Sequence, residues 1–208
     1  MMGLTIALNR GRILKECLPL VSAAGYAPAE PIDGSRKLVF PTIEGGHRLL
    51  VTRGADVPTY VEYGAADIGI VGKDTLLEHT GAGYYERLDL GIGRCRLMTA
   101  APVGADLSRG RLRVATKFVH AARRWFEAQG RQVEIIPLSG AMEIAPIMDL
   151  ADCIVDIVDT GNTLKANGLE ALETIAEISS RVIVNRAAMK LRFDAVEAFI
   201  AALTAQSR

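Results

Sequence analysis

The sequence predicts an α/β protein with mainly parallel strands, on three observations. Short apolar or β-branched runs recur at residues 4–8, 48–52, 67–71, 96–102, 112–116, 133–138, 152–158 and 180–185, each of strand length. Segments with helical periodicity lie among them at 13–24, 57–64, 118–129, 143–150 and 193–205, and alternation of this kind covers sheets with helices. Gly25 and Gly130 follow two of these helices, where a residue that tolerates left-handed backbone ends a helix. Asp194 opens the last one, against the positive end of its dipole.

The first strand, LTIAL, runs into NRGRIL, a glycine turn that carries Arg10 and Arg12 around Gly11. A guanidinium fork suits phosphate oxygens, and Gly11 permits close backbone approach. The alternative is a solvated basic helix start, although positive charge is disfavoured there. RLLVT then leads to Arg53 at the next strand end, which is assigned to the same ligand. GAADIGIVGKDTL (64–76) places Asp67 at the start of a strand and Lys73 after it; a solvated turn and helix cap account for either as well as a ligand does.

A glycine-rich stretch, LGIGR (90–94), marks a boundary, and the strands at 96–102 and 112–116 follow it. VEIIPL then leads to LSGAMEIAP, with Glu143 in the first turn of a helix. There it either complements the helix dipole or reaches a ligand at the carboxyl edge of the sheet.

The next strand, CIVDIV, ends in Asp159-Thr160-Gly161-Asn162-Thr163. Backbone N–H groups of this turn, helped by threonine hydroxyls, form a cup for an anion. A bare TGxT is more simply a turn with Thr163 capping a helix. Asp156, however, is a carboxylate inside an otherwise apolar strand and requires a specific partner. Vicinal sugar hydroxyls supply one, so the cup takes a phosphate and the carboxylate takes the ribose attached to it.

Half of the 208 residues are apolar, enough for a full core. Lys and Arg number 24, as do Asp and Glu, so no net charge draws the chain to nucleic acid or anionic lipid. Cys17, Cys95 and Cys153 are scattered and odd in number, which speaks against a disulfide framework or a zinc site. His47, His79 and His120 lack metal-ligand spacing. No apolar run approaches the roughly 18 residues of a membrane span, and the first residues lack the pattern of an export signal. The expectation is a soluble cytoplasmic protein.

The ordered set LNRGRIL, ADIGIVGKDTL, LGIGRCRLMTA, RVATKF, VEIIPLSGAMEIAP, LADCIVDIVDTGNTLKANGL and SSRVIVNRAAMK resembles the short form of ATP phosphoribosyltransferase, which opens histidine biosynthesis. The resemblance departs at Asn9-Arg10, where the family usually has Pro-Lys, and at Gly140-Ala141-Met142-Glu143, where it usually has Gly-Ser-Val-Glu.

The resemblance implies two α/β lobes of type II periplasmic-binding-protein character with a cleft between them. The lobes are expected at 1–91 plus 182–208 and at 92–181. It also implies transfer of phosphoribose from phosphoribosyl pyrophosphate to N1 of ATP, with magnesium on the pyrophosphate. Glu143, Asp156 and Arg12 take the catalytic roles. Asp159, Thr160, Gly161, Asn162 and Thr163 bind phosphoribosyl pyrophosphate, and Arg10, Gly11, Arg53, Asp67 and Lys73 bind ATP or pyrophosphate. The chain ends soon after its last helix, so a separate regulatory subunit resembling histidyl-tRNA synthetase is expected, with a dimer of this chain inside a hetero-oligomer. The competing expectation is a non-catalytic two-lobed protein that senses a small anion.

Overall fold

The computed structural model describes residues 3–108 and 110–206. The chain divides into two compact units, residues 1–93 with 179–208, and residues 94–178. It enters the first through β1 (Thr5–Asn9), α1 (Arg12–Val21), β2 (Val39–Pro41), β3 (Arg48–Thr52), α2 (Val57–Glu62), β4 (Ile68–Gly72), α3 (Lys73–Glu78) and β5 (Tyr84–Asp89). The second unit comprises β6 (Cys95–Pro102), β7 (Leu112–Thr116), α4 (Val119–Ala128), β8 (Val133–Pro137), α5 (Ile144–Ile147), β9 (Cys153–Val158), α6 (Asn162–Ala166) and β10 (Leu169–Ile178). The chain then returns to the first unit with β11 (Ser180–Asn185), α7 (Arg186–Leu191) and α8 (Phe193–Gln206).

The first unit holds a sheet in the order β2-β3-β1-β4-β11-β5. β1 is parallel to β3 and β4, whereas β2, β11 and β5 run antiparallel to their neighbours. β1 is buried along nearly its whole length, as a central strand covered on both faces must be. On one face Ile6, Leu8, Ile70 and Val184 pack with Cys17 and Val21 of α1 and with Val196, Phe199 and Leu203 of α8. On the other, Ala7, Val71 and Ile183 meet Val57 and Val61 of α2.

The second unit's sheet runs β10-β6-β9-β7-β8. β7 is parallel to β8 and β9, and β6 is antiparallel to β9 and β10. Each sheet is therefore a parallel three-strand block extended by antiparallel strands, and the expectation of mainly parallel strands is corrected to mixed. The reason is the route: β11 and β6 reach their places without a parallel crossover, so they pair in the opposite sense.

β10 carries LEALETIAEI, rich in good helix formers, and no periodicity marked it as a strand. Pairing with β6 overrides that preference. The buried Thr99 hydroxyl accepts from the Glu173 N–H at 3.0 Å and so satisfies the backbone where the ladder shifts register between Ala171 and Thr174.

Asn185 ends β11 and fixes the start of α7. Its side-chain oxygen accepts from the N–H groups of Ala187 and Ala188, capping the helix, while its amide donates to the carbonyl of Val61 in α2 at 2.7 Å. It is buried. Asn185→Ala removes the cap and one of two donors to the Val61 carbonyl, which keeps the Gly64 N–H at 3.1 Å, so it is expected to cost about 1 kcal/mol. Urea denaturation measures this, and a loss below a few tenths would show that the cap is dispensable.

Candidate active site

The carboxyl end of β9 builds the second unit's site. After Val158 the chain turns through Gly161, at φ 77° and ψ 4°, into α6. Left-handed backbone of this kind suits glycine. The first helical bond, from Lys165 N–H to the Gly161 carbonyl at 3.1 Å, leaves the amides of Asn162, Thr163 and Leu164 ahead of it. The Asn162 N–H makes only a long bond, 3.4 Å, to Thr160 Oγ1.

These residues surround a cavity of about 170 Å³ lined by Glu143, Asp156, Ile157, Val158 and residues 159–164. The structure thus brings Glu143 and Asp156 to the same hollow as the Thr160–Thr163 turn. Glu143 arrives there by a route the sequence did not suggest. The strand preceding it, β8, is not a neighbour of β9, because β7 lies between them. Parallel pairing of β7 with both still puts the ends of all three at one edge, with Thr116 opposite Val155 on one side and Pro137 on the other.

Asp156 is only part-exposed. Its Oδ1 accepts from the Ile157 N–H at 2.8 Å and stands 3.8 Å from Lys117 Nζ. Lys117 follows β7 directly and was not singled out in the sequence. The signal was a basic residue at the end of a strand, RVATKF, but its proximity to Asp156 comes from lateral pairing of β7 with β9. A pair with 46% and 23% of its side chains exposed adds at most about 1 kcal/mol to stability.

In the first unit, the ends of β1 and β3 form a basic edge. Arg10 is held there by its N–H, which donates to the Thr52 carbonyl at 2.8 Å. Gly11 takes φ 96° and ψ −138°, a glycine conformation, to start α1. Arg12 extends from the first turn, with Nε 2.8 Å from Glu16 Oε1, and Arg53 follows β3 at the same edge. Arg10 and Gly11 line a cavity of about 510 Å³ with Lys15, Asp33 and Lys37. The last three come from the helix and from the long polar connection before β2, which carried no motif.

One assignment changes. Asp67 lies at the amino end of β4, beside Thr5 at the amino end of β1, the opposite edge from Arg10. Its carboxylate accepts from the Thr5 N–H at 2.8 Å and pairs with Arg192 at 2.9 Å. It is a structural clamp, and its assignment to ATP or pyrophosphate is withdrawn. Lys73 lies at the correct edge, after β4, but its ammonium is 2.6 Å from Glu86, which also pairs with Arg181. Arg12 is ion-paired in the same way, so the pair does not set Lys73 apart from it, and the ligand assignment of Lys73 stays with the proposal below.

Two of the three thiols, those of Cys17 and Cys153, are too buried to act as nucleophiles at neutral pH. Burial pushes both Cys17 and Cys153 up to about 12. His47 accepts from the Leu4 N–H at 2.9 Å, and burial lowers its pKa. His79 lies 2.9 Å from Glu62, whose pKa it lowers.

The family model "HisG: ATP phosphoribosyltransferase" matches residues 53–205. The chain is 62% identical over 205 residues to an ATP phosphoribosyltransferase of Teredinibacter turnerae, covering 99% of this chain and 96% of that one. It is 61% identical over 204 residues to that of Saccharophagus degradans, covering 98% and 96%. Among solved structures it superposes on the ATP phosphoribosyl transferase (HisG:HisZ) complex from Thermotoga maritima with TM-score 0.86 and 33% identity, over 98% of each chain. The periplasmic aliphatic sulphonate binding protein SsuA from Escherichia coli aligns with TM-score 0.64 and 13% identity, over 100% of this chain and 69% of that one, a likeness of fold alone. On the family model and these full-length identities, the chain belongs to the ATP phosphoribosyltransferase family.

Proposed function

We propose that this chain is the catalytic subunit that condenses ATP with phosphoribosyl pyrophosphate to N1-(5-phosphoribosyl)-ATP and pyrophosphate, the first step of histidine biosynthesis. The observation that carries the reading is the convergence of Glu143, Asp156 and residues 159–164 on one cavity. In this assignment the Thr160–Thr163 amides and hydroxyls hold the 5-phosphate of phosphoribosyl pyrophosphate, and Asp156 and Glu143 accept from its ribose hydroxyls. Arg10, Gly11, Arg12, Arg53 and Lys73 serve ATP and pyrophosphate.

Adenine N1 forms its bond to the anomeric carbon as the bond to pyrophosphate breaks, and no protein nucleophile takes part. Alignment of the two substrates contributes up to roughly 7–11 kcal/mol. The arginines stabilise the charge that collects on the leaving group. Among the described residues no group of three or more His, Cys, Asp or Glu side chains could hold a metal ion, so magnesium is assigned to the pyrophosphate of the substrate and not to protein ligands. When bound, magnesium supplies charge neutralisation on pyrophosphate.

Regulation is assigned to a separate subunit resembling histidyl-tRNA synthetase, joined to a dimer of this chain. The likeness to a chain of the Thermotoga maritima complex over nearly its full length supports this. No helix among the described residues is long and apolar enough to cross a membrane. A cytoplasmic location belongs to the same proposal, because both substrates are intracellular metabolites.

Absorbance assays of phosphoribosyl-ATP formation, with magnesium and with or without the regulatory subunit, test the reading. The chain alone is expected to be weakly active and insensitive to histidine. The subunit raises turnover and confers inhibition, through coupling of about 1–3 kcal/mol. No product under either condition overturns the catalytic reading; full activity with histidine inhibition in the chain alone overturns the regulatory one.

A further inference from the structure

We propose that Lys117 is a positioning residue for Asp156, fixing the orientation of the carboxylate that receives the ribose; the inference rests on the ribose role assigned to Asp156 above. The local backbone makes this a built arrangement. Thr116, fully buried, donates its hydroxyl to the Val155 carbonyl at 2.6 Å and accepts from the Phe118 N–H at 2.9 Å. The residues on either side of Lys117 are thereby tied to β9 immediately before Asp156.

The Lys117 side chain is restrained as well. Its ammonium lies 4.8 Å from the centroid of the buried Phe118 ring, within reach of a cation–π attraction, and 3.8 Å from Asp156 Oδ1. The Ile157 N–H donates to that same oxygen. The ammonium and the amide donor both face this one oxygen and restrain the plane of the carboxylate. A pre-oriented acceptor is worth more to a reacting sugar than a mobile one, because the enzyme need not order it during the reaction. The pair is too exposed for stability to be its main effect.

A double-mutant cycle tests the proposal. Lys117→Met keeps the stem over Phe118 and removes the charge; Lys117→Arg keeps the charge. In steady-state assays of the purified enzyme with saturating ATP and magnesium, Lys117→Met is expected to lower kcat about tenfold, as loss of an outer partner that orients a ligand does. KM for phosphoribosyl pyrophosphate should move little, the melting temperature should stay near that of the parent, and Lys117→Arg should restore most of the turnover.

In an Asp156→Asn background, Lys117→Met should have no further effect. Equal losses in both backgrounds would mean that Lys117 acts independently of Asp156, and a rise in KM alone would mark it as a direct phosphate contact; either overturns the proposal. So does wild-type turnover in Lys117→Met. If Lys117→Met does not fold, Lys117→Gln supplies the same comparison. Wild-type turnover in Asp156→Asn itself would instead overturn the ribose assignment, and this inference with it.

Discussion

Asp156→Asn is expected to lower turnover on the order of a hundredfold while the fold stays intact. The amide keeps an acceptor oxygen but loses the charge. A charge-assisted bond is roughly twice as strong as a neutral one, and removing a group aimed at developing charge costs about 10²–10³ in rate. The positive charge here is the oxocarbenium character of the ribose, so the loss falls on kcat. Stability should change little, because Asp156 is part-exposed beside Lys117. Calorimetry alongside the assay decides the matter. An early-melting variant with normal turnover would show that Asp156 holds β9 in place and has no part in the reaction.

Gly161→Val is expected to weaken phosphoribosyl pyrophosphate binding at least tenfold. The cause is backbone conformation. A Cβ at this position would meet only Val158 Cγ1 at 3.9 Å, an ordinary contact, so space is available. At φ 77°, however, a β-branched residue costs about 1–3 kcal/mol, and the loop relieves this by turning the amides of residues 162–164 away from a common point. ATP affinity should be retained. Titration calorimetry with each substrate separates the two, and an unchanged affinity for phosphoribosyl pyrophosphate in the folded variant would dismiss the phosphate cup. Thr163→Ala should give a smaller loss in the same direction, since it removes one hydroxyl.

Much of the fold was legible because its central strands are buried and short. The limits of β3, β7 and β11 coincide with the apolar runs that predicted them. β2, β5 and β10 were not legible, for a common reason: each lies at the edge of its sheet, where burial is partial and composition need not alternate. The predicted helix at 143–150 shrinks to α5, because Asp149 adopts φ 54° and ends the helical turn.

At the candidate site, Asp156 and the Thr160–Thr163 turn were readable because they are contiguous in the chain. Glu143 required the lateral order of the sheet. Lys117 was missed for the same reason: nothing local to RVATKF announces a carboxylate contributed by the next strand. Asp67 was misassigned because residues at the start of a parallel strand lie at the edge away from the ligand. Its place ahead of the apolar run IGIVG already put it on that far edge.

The route of the chain bears on how the protein is made. Among the described residues, β11 is the only hydrogen-bonded neighbour of β5 in the sheet order and joins it to β4. Until residues 180–185 leave the ribosome, β5 has nothing to pair with and the first unit's sheet stays open at β4. Residues 94–178 are contiguous and can complete their own sheet earlier. Synthesis therefore favours finishing the second unit first. The first must wait for a closure across more than a hundred residues, the kind of distant pairing that slows folding. Until then the flank of β4 is bare, a strand edge open to mispairing with other chains.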